Sequence, residues 1–215
     1  MRGDACCGRF DLGASGHSLG MALRQRSVHH PAGQPLGPPA SVPARFLPRS
    51  ARCPGCCHSA MLLHGSCAAR DGAGGLLGVL LLGPPGAGKS DLLLRLTGEG
   101  WRLVSDDQVV LRAEGDALRA TAPVSLRGMM EVRGLGVMAG FASDADVPLA
   151  LAVDCVAREE VPRLPEPLRF KALDRSLPRM ALHALDASAP RKLTLALDAL
   201  AGLIACRAGA LESMN

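Results

Sequence analysis

Eight consecutive residues, Gly83-Pro84-Pro85-Gly86-Ala87-Gly88-Lys89-Ser90, fit the pattern G-x-x-x-x-G-K-S. Glycines in such a loop let the backbone approach a phosphate chain closely, with N–H groups turned inward. Pro84 and Pro85 carry no N–H, so the donors expected are the amides of residues 86–90. Lys89 is expected to reach the β- and γ-phosphates of a nucleotide, and the Ser90 hydroxyl to bind a magnesium ion. The flanks suit that chemistry. Leu76-Leu77-Gly78-Val79-Leu80-Leu81-Leu82 reads as the strand leading in, and Asp91-Leu92-Leu93-Leu94-Arg95-Leu96 as the helix leading out, whose N-terminus adds positive potential.

Such a loop indicates a nucleotide but not a reaction. Phosphoryl transfer also needs acids that hold a metal and that orient or deprotonate the nucleophile. Two placements are open. Asp106-Asp107 ends the short run Trp101-Arg102-Leu103-Val104-Ser105, directly after the loop helix. Adjacent carboxylates repel, and they persist in a buried site when a cation or a shared proton compensates; a solvated turn is the plain alternative. Asp154 ends Leu149-Ala150-Leu151-Ala152-Val153, in the manner of an ordinary Walker B strand. It could equally be a strand-terminal acid bonded locally.

The elements that must position these residues follow from the pattern of apolar residues. Residues 61–69 read as one short strand and 70–75 as a Gly-rich turn. Residues 108–112 and 117–122 flank Glu114-Gly115-Asp116 as a hairpin. Residues 130–137 mix apolar residues with glycine, as a loop or bulged strand. Residues 147–156 form a nearly unbroken apolar run suited to a strand covered on both faces. Residues 158–178 read as Pro-rich connection and 180–185 as a strand. Ser188 is placed to cap a helix over about 190–208, with Leu193, Leu197, Leu200 and Ile204 along one face. One loop helix, one terminal helix and many short strands do not make a regular βαβ alternation. The fold class expected is α/β: a P-loop mixed sheet with few helices, in one domain from residue 61 to the end.

The bulk composition narrows the partners. Apolar residues make up 48% of the 215, but aromatics only 2%, so Leu, Val and Ala must build the core. The net charge of +4 is mild and base-stacking aromatics are missing, which argues against nucleic acid. No apolar run approaches the ~18 residues of a membrane span, and no secretory signal layout opens the chain. A cytoplasmic protein without a membrane partner is expected. Residues 1–60 are rich in Arg, Pro, Gly, Ser and His, poor in acids, and without sustained periodicity. They read as a disordered extension, a transit-like segment, or sequence upstream of a true start at Met61, the last being preferred. Cys53-Pro54-Gly55-Cys56-Cys57-His58 lacks the second ligand pair of a zinc site. Cys67, Cys155 and Cys206 sit in apolar surroundings and read as small buried hydrophobes.

Four segments in order carry a family resemblance: Leu63-His64-Gly65-Ser66-Cys67, the loop 83–90, the run 101–107, and Glu131-Val132-Arg133-Gly134-Leu135-Gly136-Val137. Together they resemble the catalytic domain of the HPr kinase/phosphorylase family, in the short form found in α-proteobacteria. The resemblance covers about residues 61–200. It implies a fold akin to phosphoenolpyruvate carboxykinase, ATP and Mg²⁺ as cofactors, and a serine of the phosphocarrier protein HPr as acceptor. It also implies control of carbon and nitrogen metabolism through the phosphotransferase system, and a homo-oligomer, a hexamer in the family. On that resemblance Asp107 takes the serine proton, Asp106 stands beside the metal, Lys89 and Ser90 keep their loop roles, Glu131 is a second Mg²⁺ ligand, and His64 lies near the transferred phosphate. Arg133 would contact phosphate, orient Glu131, or simply be solvated. The chain departs from the family in lacking its separate N-terminal domain and in a longer gap between His64 and Gly83. Ser188-Ala189-Pro190-Arg191-Lys192 also stands where longer members carry an Arg-Pro-Gly-Arg loop tied to phosphorolysis, so the kinase direction is the one expected. A small-molecule P-loop kinase using Asp154, or a non-catalytic ATP-sensing module, are the competing readings.

Overall fold

The structure, a computed structural model, describes residues 59–72 and 74–212. The readings of residues 1–58 and of the Cys53–Cys57 cluster lie outside the described residues. In chain order the strands and helices are β1 (Ala60–His64), β2 (Ser66–Gly72), β3 (Gly75–Leu82), α1 (Lys89–Gly98), β4 (Arg102–Ser105), β5 (Gln108–Glu114), β6 (Ala117–Thr121), β7 (Met129–Val132), β8 (Gly136–Ala139), β9 (Val147–Cys155), β10 (Leu168–Ala172), β11 (Arg175–Leu182) and α2 (Ala189–Leu200). Nine strands form one mixed sheet, with β7 and β8 a separate antiparallel ribbon. The expected class, a mixed sheet with few helices, is what the chain adopts.

The central strands are β3 and β9, paired in parallel from Gly78↔Leu149 to Leu82↔Asp154. Their alternating side chains feed two cores. Val79, Leu81, Leu151, Val153 and Cys155 pack with Leu92, Leu93 and Leu96 of α1 and Leu193 and Leu197 of α2. Leu80 and Ala152 turn the other way, onto Val109, Leu111 and Leu118 of the β5–β6 hairpin. The register slips by one residue between Gly78 and Val79, leaving Ala150 as the extra residue of β9. That bulge lets Leu149 and Leu151, two apart, serve different cores. The β9 strand also meets β6 antiparallel through Val147 and Pro148, and β11 in parallel through residues 152–155.

Several expectations change. Residues 61–69 are two strands, not one: β1 pairs with β5, whereas β2 pairs with β3 and β4. The break falls at Gly65, where a Cβ would lie 2.7 Å from the Leu81 carbonyl oxygen, so the chain can cross there only as glycine. Residues 130–137 belong to the β7–β8 hairpin, closed over Gly134 and Gly136, both at positive φ. The stretch 158–178 contains the β10–β11 hairpin, which turns through Leu173 and Asp174, both left-handed. No glycine marks that turn, and the prolines around it mimic a connection. Pro178 is tolerated in β11 because there β11 has only β10 beside it, ahead of the stretch paired to β9.

The last helix is shorter than expected. It ends at Leu200, with Gly202 left-handed just beyond, and Ile204 is exposed rather than on its buried face. Ser188 makes no side-chain cap. The Asp186 carbonyl takes the Ala189 amide at 3.0 Å and Pro190 has no N–H to satisfy, so the first turn needs no hydroxyl.

Candidate active site

The loop between β3 and α1 is wound for an anion. Gly83, Gly86 and Gly88 have φ of 141°, 82° and 86°. A Cβ on Gly83 would come within 2.5 Å of the Cys155 carbonyl oxygen, and one on Gly88 within 2.8 Å of Leu185 Cδ2. Lys89, nearly buried, folds back so that Nζ donates to the carbonyls of Gly83 and Pro84 at 2.9 and 3.0 Å. The ammonium is thereby held across the loop mouth. The Ala87 amide donates to the Pro84 carbonyl at 3.2 Å. Of the five amides expected in the cradle, those of Gly86, Gly88, Lys89 and Ser90 therefore remain the candidate donors for a phosphate, and Ala87 shapes the loop.

Strand β4 delivers Asp106 and Asp107 to the start of α1. Asp106 is 5% exposed. Its Oδ1 accepts the Ser90 hydroxyl at 2.9 Å and the Ser66 hydroxyl at 2.8 Å, and its Oδ2 lies 3.3 Å from the Glu131 backbone N–H. Asp107 is the pivot of a three-residue turn: its φ is 67°, and the Gln108 amide donates to the Asp106 carbonyl at 2.8 Å. A turn of this positive-φ form is rare and strained for a residue with a side chain. It turns the two neighbouring carboxyls to different partners. Asp107 is two-thirds exposed, and its Oδ1 sits 3.1 Å from His64 Nδ1. Its carbonyl also accepts the Gly65 amide at 3.1 Å.

The junctions β1–β2 and β4–β5 thus meet residue against residue, His64 with Asp107 and Ser66 with Asp106. Glycine at 65 permits the tight crossing that places both partners. On sequence, His64 and the two aspartates were separate expectations, and Ser66 had no role. Only the pairing of distant strands reveals it.

Asp154 is placed differently. It alternates with Val153 and Cys155, which pack on the helix side, and so belongs to the other face of β9. Both its oxygens are taken by Arg179 of β11, at 2.6 and 3.0 Å. The Walker B-like reading of Asp154 gives way to a local ion pair that no sequence spacing announced.

Glu131 is carried to the site by β7, where buried Met130 anchors the strand and Glu131 is exposed. Among the described residues no group of three or more His, Cys, Asp or Glu stands close enough to hold a metal unaided. The available donors, a hydroxyl and a carboxylate at 2.9 Å, are hard oxygens. They fit a magnesium ion, which takes one or two protein oxygens and completes its shell with phosphate and water. Arg133 is exposed at the turn of the same ribbon.

Behind the loop, residues 183–189 buttress Gly88 through Ala184 and Leu185. Arg95 of α1 donates to the carbonyls of Ala184 and Asp186. The Asp186 carboxylate binds Lys192 at 3.0 Å and also Arg158. The Lys192 hydrogen bond, aided by the charges of Lys192, Arg158 and His183, holds its carboxyl below the ordinary range against the opposing effect of desolvation.

The fold and this loop define a P-loop domain of the α/β class. Residues 61–141 match the family model described as the HPr serine kinase C-terminal domain. An HPr kinase/phosphorylase from Caldanaerobacter subterraneus subsp. tengcongensis is 48% identical over 63 residues, 29% of this chain and 21% of that protein. One from Geobacillus thermodenitrificans is 37% identical over 117 residues, 49% of this chain and 38% of that protein. The solved Hpr(Ser) kinase/phosphatase from Coxiella burnetii superposes with a TM-score of 0.53 at 26% identity, covering 64% of this chain and 99% of that one. Through its P-loop core, residues 61–141, the chain is similar to the HPr kinase/phosphorylase family. It spans well under half the length of these two curated relatives.

Proposed function

We propose that the chain is an ATP- and Mg²⁺-dependent protein kinase that phosphorylates a serine of an HPr-type phosphocarrier protein. The observation that carries the reading is the hydrogen bond from Ser90 to Asp106, with Asp107 exposed alongside. It supports the aspartate turn, over Asp154, as the acid partner of the loop.

The amides of Gly86, Gly88, Lys89 and Ser90 bind the phosphates of ATP, and Lys89 neutralises charge on the β- and γ-groups. Ser90 and Asp106, with Glu131 from the ribbon, would hold the cation, which would screen the negative charge of the phosphates. Asp107 accepts the proton of the acceptor serine as its oxygen bonds to the γ-phosphorus and the bond to the ADP oxygen breaks. His64, with Nδ1 on Asp107 Oδ1, orients that carboxylate. The exposure of Asp107 leaves its free oxygen open to a protein-borne serine. A small-molecule acceptor would call for an enclosed pocket.

On this reading the protein acts in the cytoplasm within the phosphotransferase system, controlling carbon or nitrogen metabolism, and assembles as a homo-oligomer, a hexamer on the family pattern. Phosphorolysis of phospho-HPr is a second activity of the same site run in reverse. The test is ADP release by the full chain with ATP and Mg²⁺, with and without HPr. Release that depends on HPr is expected. HPr-independent release, with a small metabolite as acceptor, would favour a small-molecule kinase; ATP binding without any release would favour a sensing module.

A further inference from the structure

Among the described residues, the buried polar or charged side chains are Ser66, Lys89, Ser105 and Asp106. All four lie in the loop helix or at the junctions that face it. Lys89 has the loop carbonyls, and Ser105 closes the aspartate turn by donating to the Gln108 carbonyl. Ser66 has no such local duty. It is wholly buried, lies forty residues from its partner, and gives its proton to Asp106 Oδ1 at 2.8 Å.

That oxygen carries two hydroxyl donors, Ser66 and Ser90, while Oδ2 faces the Glu131 amide. Ser90 spends its single proton on Asp106, which turns its lone pairs away from the aspartate. The direction of those lone pairs therefore depends on where Asp106 Oδ1 sits. Two contacts other than Ser90 fix it, the Ser66 hydroxyl and the weaker, longer bond from Glu131 N. Ser66 is the shorter of the two and comes from the body of the sheet, through β2 between β3 and β4.

We propose that Ser66 is a positioning residue for cation-assisted nucleotide binding: by fixing Asp106 it aims the Ser90 oxygen at the divalent cation. The inference rests on the reading of Ser90 and Asp106 as the cation-side pair. It concerns a wholly buried hydroxyl whose partner is the aspartate.

The test is calorimetric titration of ATP into the full chain, with Mg²⁺ and with Mg²⁺ chelated, in wild type, Ser66→Ala, Ser66→Thr, Asp106→Asn and the Ser66→Ala/Asp106→Asn double variant. Thermal melting of each without nucleotide runs alongside. In wild type, Mg²⁺ strengthens ATP binding. Ser66→Ala is expected to lose about tenfold of that gain, the size of one hydrogen bond to a charged group, with metal-free affinity unchanged. Ser66→Thr, which keeps the hydroxyl on a strand, restores the gain. Adding Ser66→Ala to Asp106→Asn costs nothing further, because the partner is already altered. A Ser66→Ala protein that melts lower but keeps the full Mg²⁺ gain overturns the inference, since the hydroxyl is then only structural. Additive losses in the double variant overturn it as well. A wild type whose ATP affinity ignores Mg²⁺ overturns the reading of the pair itself, and the inference with it.

Discussion

Asp107 and Asp106 are neighbours in sequence with opposite environments, one two-thirds exposed beside His64, the other 5% exposed beneath two hydroxyls. The positive-φ turn at Asp107 separates them, and on the proposed reading it assigns proton transfer to one and cation binding to the other. Asp107→Asn is expected to keep the fold and ATP affinity while lowering the phosphorylation rate by about 10²–10⁴-fold, the usual worth of a general base. Steady-state kinetics with calorimetry checks both halves. Asp154→Asn disturbs only its pair with Arg179. With Arg179 41% exposed, that pair contributes about 1 kcal/mol or less, so activity should stay near wild type in the same assay. Gly88→Ala is expected to weaken ATP binding severely, because alanine at φ 86° is strained and its Cβ meets Leu185. Most of these residues were readable as chemistry from the sequence, because loop spacing and paired acids are local signals. The choice between Asp106-Asp107 and Asp154 was not readable from the residues, since both end apolar strands. It depends on which face of β9 Asp154 occupies and on Arg179 arriving from a hairpin that the prolines concealed.

At the scale of elements, the site is held where strand junctions meet the N-terminus of α1, and α1 is held by α2. Leu193 and Leu197 are essentially buried against the loop helix and β9. Leu197→Ala is expected to cost about 2–5 kcal/mol, measured as a lower denaturant midpoint with the transition still cooperative. The segment 183–189 links the two helices through Arg95, Asp186 and Lys192. Because the Asp186 pKa is lowered on folding, its contribution is present above the ordinary carboxylate pKa and is lost as pH falls through the folded value. The difference in melting temperature between wild type and Asp186→Asn should therefore shrink on acidification below about pH 4. The strands around the loop, the β5–β6 hairpin and β9 were legible because their periodicity is clean. The split at Gly65 and the β7–β8 ribbon were not, because glycine reads alike as turn, bulge or crossing.

For the molecule as a whole, the near absence of aromatics leaves a core of Leu, Val and Ala in two layers about one mixed sheet. Cys67 and Cys155 lie inside it as the sequence suggested. Burial raises both thiols, Cys155 to about 12, so neither should alkylate in the folded protein at neutral pH. Peptide mapping after iodoacetamide treatment, native and denatured, checks this. Among the described residues no helix is long and apolar enough to cross a membrane. The central claim of the proposed function is that this arrangement transfers phosphate from ATP directly to a serine of HPr, with Asp107 taking the serine proton. The most direct measurement is the intact mass of HPr after incubation with ATP, Mg²⁺ and the full chain, beside Asp107→Asn and Asp154→Asn. The account predicts a gain of one phosphate, about 80 Da, with wild type and Asp154→Asn, and almost none with Asp107→Asn over the time in which wild type just completes the reaction. An unmodified carrier after treatment with a folded, ATP-binding wild type would contradict it, as would a phosphate that still arrives with Asp107→Asn and disappears with Asp154→Asn.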